Sequence, residues 1–140
     1  MNVLLDTHIW MWWLTPGSPL TRVERNALDA AAERREVSLA AISLWEAQML
    51  HRKGRLELPL PFAEWLVRAA DSRIVSVIPL DVETVLALDS LPQSFHGDPA
   101  DRLIVATARG HALPLATRDT TIRRSRLVRL WKPDQEAGRS

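Results

Sequence analysis

Cysteine is absent from the 140 residues, which excludes disulfides, zinc–thiolate centres, thiol catalysis and protein-ligated iron–sulfur clusters together. A long apolar run is absent as well. The longest near the start, Ile9–Leu14, falls far short of the roughly 20 residues that cross a bilayer. No basic residue precedes it, as one would in a secretory signal, so a cytoplasmic protein with no membrane association is expected. There is no internal repeat and no low-complexity stretch. Strong net charge is missing too: the balance is +1, so total charge does not single out a nucleic-acid partner.

What is present is the composition of a soluble globular domain, 46% hydrophobic and 25% charged. The length suits one domain with a real core, expected over residues 1–132 with a polar, mobile tail over 133–140. Charge is unevenly placed. Arg118–Lys132 holds five arginines (118, 123, 124, 126, 129) and one lysine against Asp119 alone, a net of +5, whereas acids dominate Asp71–Asp101. The basic segment fits phosphate contacts and equally a solvated surface.

Strand-like and helical runs alternate, which favours an α/β fold built on a parallel sheet. Strands are expected at Asn2–Leu5, Val37–Ala40, Ile74–Ile78, Leu115–Thr117 and Leu127–Leu130. Helices are expected at Thr7–Leu14, from a Thr21/Glu24 capping box to about Arg35, at about Ser43–Lys53, at Phe62–Ser72, and from Asp81 to about Leu88. Another starts at Asp98-Pro99, with Asp98 as N-cap and Pro99 in the first turn, and ends near Gly110.

The acids fall at related places in this pattern. Asp6 closes the first strand, Glu46 lies in the first turn after the second, and Asp119 follows the fourth. The C-terminal ends of parallel strands share one edge, where ligands bind; Asp101 joins them if its helix starts there, with Asp98 close by. Carboxylates gathered without compensation repel and resist ionisation. A hard divalent cation resolves this, and oxygen ligands without sulfur or convergent histidines suit Mg²⁺ or Mn²⁺. Such an ion can activate a water and stabilise charge on phosphoryl oxygens.

Each acid also has a plainer explanation: Asp6 as a turn residue, Ser43-x-x-Glu46 as a capping box, Asp101 as an acid at a positive helix end, Asp98 as a cap, Asp119 as a turn.

Four ordered segments resemble the motifs of PIN-domain nucleases, and among them VapC-type toxins of type II toxin–antitoxin systems. They are LLDTHIWMWWL (4–14) with Asp6, AAISLWEAQMLHRKGRLEL (40–58) with Glu46, HGDPADRLIVATA (96–108) with Asp98 and Asp101, and LATRD (115–119) with Asp119. The resemblance implies a Rossmann-like three-layer fold, a parallel sheet of four to five strands with helices on both faces. It implies metal ligation by Asp6 and Asp101, with Glu46 and Asp119, and Asp98 beside them, completing an acidic pocket. Thr7, Ser43 and Thr117 stand where a hydroxyl holds water, a carboxylate or phosphate. It further implies hydrolysis of RNA phosphodiester bonds, a homodimer and a cognate antitoxin.

Arg102, beside Asp101, and His51, Arg52, Lys53 and Arg55 after the Glu46 helix are candidates for RNA phosphates, or for helix-end charge. His8, His96 and His111 lack zinc spacing; His8 reads as a local hydrogen-bonding or packing residue and His111 as a helix-end residue, while for His96, near Asp98, substrate contact is open but not the favoured reading. Trp10, Trp12 and Trp13 cannot all face one way on a helix; packing on the sheet ranks first for each, a protein interface second and base stacking third. Two alternatives use the same acids: an inert module receiving a basic peptide, and a phosphatase forming an aspartyl-phosphate at Asp6. The second expects an aspartate two residues on, where His8 stands.

Overall fold

The structure, a computed structural model, describes residues 2–95 and 97–133. His96 and the expected tail beyond Pro133 lie outside the described residues. The chain runs β1 (Val3–Leu5), α1 (Thr7–Trp13), α2 (Arg22–Glu33), β2 (Val37–Ala40), α3 (Ala41–Arg52), α4 (Phe62–Ala69), β3 (Ser76–Ile78), α5 (Val82–Asp89), α6 (Pro99–Gly110), β4 (Leu115–Ala116) and α7 (Thr120–Ser125).

The four strands form one parallel sheet in the order β3-β2-β1-β4. From β1 the chain steps outward to β2 and β3, then returns to the other side of β1 for β4. The strand order therefore reverses between β1 and β4, and a crevice opens at their C-terminal ends.

The strands β1, β2 and β4 are buried throughout, as inner strands of a parallel sheet are, while the edge strand β3 is largely exposed. Val3, Leu5, Val37 and Leu39 face one layer, where Trp10, Trp13, Leu28 and Trp65 of α1, α2 and α4 close the core. Leu4 and Leu115 point the opposite way and meet Ile104, Val105 and Ile122 of α6 and α7. Each fully buried aliphatic or Trp side chain contributes about 1.5–3 kcal/mol. Trp10 has no exposed surface; its Nε1 donates to the Ala69 carbonyl at 3.0 Å and its ring packs on Trp65. Trp13 donates to Asp29 at 2.9 Å.

Several helix starts follow local rules. Thr21 and Glu24 complete the capping box of α2. Asp81 caps α5, and Asp98 caps α6 with Pro99 inside its first turn. The start of α3 does not. It begins at Ala41 with no side-chain cap, and Ser43 is a buried residue inside the helix, so the Ser43–Glu46 capping box is not formed. Both side chains are taken by a tertiary partner, Thr7.

At the other edge, the expected fifth strand reduces to one parallel bridge, Leu115 to Leu130. Arg126 has a left-handed backbone, φ 59°, and bends the chain away before a ladder forms. The segment between them holds α7, a helix the sequence reading left out. Asp119 caps it, accepting the Ile122 amide at 2.9 Å.

Candidate active site

The crevice at the β1/β4 edge is an open cavity of about 400 Å³ lined by Asp6, Glu46, Asp98, Asp101 and Asp119, together with His8, Ile9, Trp12 and Arg118. All five acids named from the sequence therefore border one space, though separated in the chain by up to 113 positions.

Two buried hydroxyls organise the floor. Thr117 donates to Asp6 Oδ2 at 2.7 Å, and its oxygen accepts the Asp119 amide at 3.0 Å. Thr7, fully buried, donates to Glu46 Oε1. A threonine hydroxyl has one proton, so with that proton on Glu46 the 2.8 Å contact to Ser43 has Ser43 as its donor. The residues following β1 and β4 thus hold carboxylates that belong to other elements: Thr7, after Asp6, holds Glu46 of α3, and Thr117, before Asp119, holds Asp6.

The remaining acids are fixed through their own helices. Asp98 Oδ1 accepts the Asp101 amide at 3.0 Å, which locks the spacing of the pair at the start of α6. Asp119 spends Oδ1 on the first turn of α7.

Burial pushes Asp6 above the usual carboxylate range, against the Thr117 hydroxyl, which favours the charged form; the charge of Asp119 adds to the rise. Glu46 is raised for the same first reason, opposed by Thr7 and reinforced by the charges of Asp6 and Asp98. The acids thus sense one another across the cavity, and a cation among them would relieve a real electrostatic cost.

The donor set fits such an ion: carboxylate oxygens, no thiolate, one imidazole at the rim. Among the described residues no three of these groups stand together closely enough to hold a metal ion as they are placed.

Arg102 does not line the cavity. It turns to the preceding loop, donating to the Phe95 carbonyl at 3.1 Å and reaching Pro92 O at 3.5 Å, with its guanidinium over the Phe95 ring. Its expected direct contact with substrate is replaced by a hold on that loop. His51 stacks on Phe62 at 4.5 Å, and His111 pairs with Asp81 at 2.7 Å, so neither faces the acids.

Three lining residues escaped the sequence reading as site residues. His8 and Trp12 lie four apart and so share a face of α1, and their rings meet at 5.8 Å. Arg118 sits over the Trp12 ring at 5.8 Å and pairs with Glu24 of α2. The i,i+4 spacing of His8 and Trp12, directly after Asp6, was the available signal. Trp12 alone of the three clustered tryptophans turns to the cavity, because Trp10 and Trp13 fill the core.

The family model described as PIN domain matches residues 3–126. Ribonuclease VapC22 of Mycobacterium tuberculosis is 39% identical over 126 residues, covering 89% of this chain and 92% of the relative. Among solved structures, VapBC2 of Rickettsia felis, crystallised with a DNA fragment from its promoter, superposes with a TM-score of 0.70 at 17% identity, over 94% of this chain and 98% of that one. FitAcB of Neisseria gonorrhoeae superposes with a TM-score of 0.68 at 24% identity, over 94% and 97%. At those identities the superpositions speak for the fold alone, and they agree with the parallel sheet and its flanking helices. With the profile spanning most of the chain and a relative this similar, the chain belongs to the PIN-domain family and, within it, to the VapC-type proteins.

Proposed function

We propose that this protein is a divalent-metal-dependent endoribonuclease that hydrolyses RNA phosphodiester bonds, and that it is the toxin of a toxin–antitoxin pair. The observation that carries the reading is the lining of one cavity by five carboxylates at the strand-order reversal, two of them held above their ordinary protonation range.

In this reading Asp6 and Asp101 hold Mg²⁺ or Mn²⁺, and Glu46, Asp119 and Asp98 complete the negative surround. When bound, such an ion supplies Lewis-acid stabilisation of the phosphoryl oxygens and polarises the attacking water. The chain's own residues do the positioning. Thr117 fixes the orientation of Asp6, and Thr7 with Ser43 fixes that of Glu46. Arg118 lies over Trp12 at the rim, its charge already paired with Glu24.

The test is cleavage of RNA by the purified full chain. Cutting is expected with added Mg²⁺ or Mn²⁺ and is expected to stop with chelator. Asp6→Asn and Asp101→Asn are expected to abolish it while the circular dichroism spectrum is retained. Undiminished cutting by either folded variant in chelator would overturn the proposal.

The partner reading rests on a structural neighbour from Klebsiella pneumoniae that was solved as a toxin–antitoxin complex. Growth arrest on expression of the wild-type chain alone, absent with Asp6→Asn and relieved by the neighbouring gene product, tests it in the cytoplasm, where we place the protein. No described helix is long and apolar enough to cross a membrane.

A homodimer completes the proposal. Trp45, Leu80, Val82 and Leu86 are exposed, and the first two border an apolar hollow with Ile42 and Ile78. Exposed apolar surface around such a hollow is costly to leave in water, and a second copy would cover it. Sedimentation of the wild-type chain against Leu86→Asp reads this out: a dimer that the substitution dissociates is expected, and a wild-type monomer at high concentration would refute it.

A further inference from the structure

A second hollow, of about 360 Å³, lies between the loop carrying Pro92, Ser94 and Phe95 and the segment carrying Thr121, Arg124, Ser125 and Leu127. Both walls run directly into the acidic cavity: Phe95 is three residues before Asp98, and Thr121 two after Asp119. Consecutive Cα atoms are about 3.8 Å apart, so Thr121 lies within about 8 Å of Asp119 and Phe95 within about 11 Å of Asp98. The two hollows are therefore neighbours.

The chemistry of this second space is opposite in sign. Half of the six cations from Arg118 to Lys132 are spent on the protein itself. Arg118 pairs with Glu24, Arg123 donates to the Thr117 carbonyl at 2.9 Å, and Arg129 donates to the Ala112 carbonyl at 2.9 Å. Arg124, Arg126 and Lys132 are exposed and take no hydrogen bond or ion pair among the described residues, and of these Arg124 lines the hollow. The Ser94 and Thr121 hydroxyls beside it are likewise uncommitted. Pro92 and Leu127 give the space an apolar side. Its loop wall is held in shape by Arg102, whose neighbour Asp101 lines the acidic cavity.

We infer that this hollow is a nucleotide subsite, in which Arg124 takes the phosphate next to the scissile one. Ser94 and Thr121 meet sugar or base edges, and the apolar side receives a base face without strong sequence preference. The inference rests on the ribonuclease reading and deepens it. A strand whose reacting phosphate lies among carboxylates needs a cation where its next phosphate emerges, and Arg124 stands there with no partner among the described residues. Arg102 is a positioning residue for the subsite wall.

The experiment is steady-state cleavage of an oligoribonucleotide that spans a bond cut by the wild-type chain, followed across a salt series. Arg124→Gln is expected to raise KM about five- to tenfold with kcat nearly unchanged. It is also expected to make the dependence of log(kcat/KM) on log salt shallower by about 0.7, the value of one lost single-strand phosphate contact. Arg124→Lys keeps the charge and is expected to keep the slope. Thr121→Glu puts an acid in the first turn of α7, where the helix tolerates it, and is expected to raise KM as well.

Wild-type cleavage with unchanged KM and slope in Arg124→Gln overturns the subsite and leaves the ribonuclease standing. A wild-type chain that cuts no RNA overturns both. Loss of antitoxin affinity in Arg124→Gln with unaltered RNA kinetics assigns the hollow to a protein partner and also overturns the inference.

Discussion

Replacing Thr7 by valine keeps the shape and removes one oxygen from a fully buried position. That oxygen serves two contacts, the bond to Glu46 and the bond from Ser43. A hydrogen bond to a charged group contributes about 1.5–3 kcal/mol, and Glu46, only half-buried, recovers part of this from water. Ser43 is fully buried, but a serine inside a helix can turn to a carbonyl one turn back, which limits its loss to about 1 kcal/mol. The net expectation is a destabilisation of about 2 kcal/mol, or roughly 8 °C in melting temperature for a chain of this size.

The pH dependence carries the sharper test of the Thr7 bond. The folded-state pKa of Glu46 is raised, first by burial, so its ionisation opposes folding, and stability falls as pH rises from the ordinary glutamate range through the folded value. Thr7 is the group that restrains this rise. The valine variant is therefore expected to lose more stability at neutral pH than at mildly acidic pH. Urea unfolding followed by tryptophan fluorescence in chelator, with a double-mutant cycle against Glu46→Gln, measures both effects. A pH-independent difference, or a coupling below about 0.5 kcal/mol, would show that the Thr7–Glu46 bond does not hold the carboxylate.

Asp6→Asn is expected to raise the stability of the metal-free protein at neutral pH: burial raises the pKa of Asp6, so its charge opposes folding above the ordinary aspartate range. Added Mg²⁺ should stabilise only the wild type, by mass action, and thermal melts with and without the ion decide this. A Cβ at Gly110 would sit 2.7 Å from the Glu83 carbonyl oxygen and 3.2 Å from the Thr84 amide nitrogen, so Gly110→Ala is expected to cost about 1–3 kcal/mol. That outweighs a helix-propensity gain of at most about 1 kcal/mol, and a more stable variant in denaturant melts would show the two helices can part. Trp10→Ala removes the largest fully buried side chain and its bond to Ala69, with an expected loss of about 3–5 kcal/mol; a chemical-denaturation midpoint near the wild-type value would contradict the packing described.

Where structure is local, the sequence was informative. The Thr21/Glu24 box, the Asp81 cap and Asp98-Pro99 announced three helices, because a cap and its amide lie within one turn. The sheet was legible from its apolar runs, and the acids from their place after them. Where a side chain has a distant partner, local rules misled. Ser43 and Glu46 have capping-box spacing, yet both turn to Thr7, 36 and 39 residues away. The helix α7 has only six residues, too few for periodicity to register, and it took the place of a turn. Arg102 beside an acidic motif suggested contact with substrate, but the carbonyls of Pro92 and Phe95, invisible in a pattern of side chains, claim it.

The hydroxyl supports described above make the site a closed circuit of long-range contacts. Asp6 is made within the first few residues but is steadied by Thr117, 111 positions later. A chain still on the ribosome, with β4 and α7 not yet emerged, carries Asp6, Glu46, Asp98 and Asp101 but neither the Thr117 prop nor the Asp119 wall. The five-acid pocket is therefore not closed until nearly the whole polypeptide has been translated.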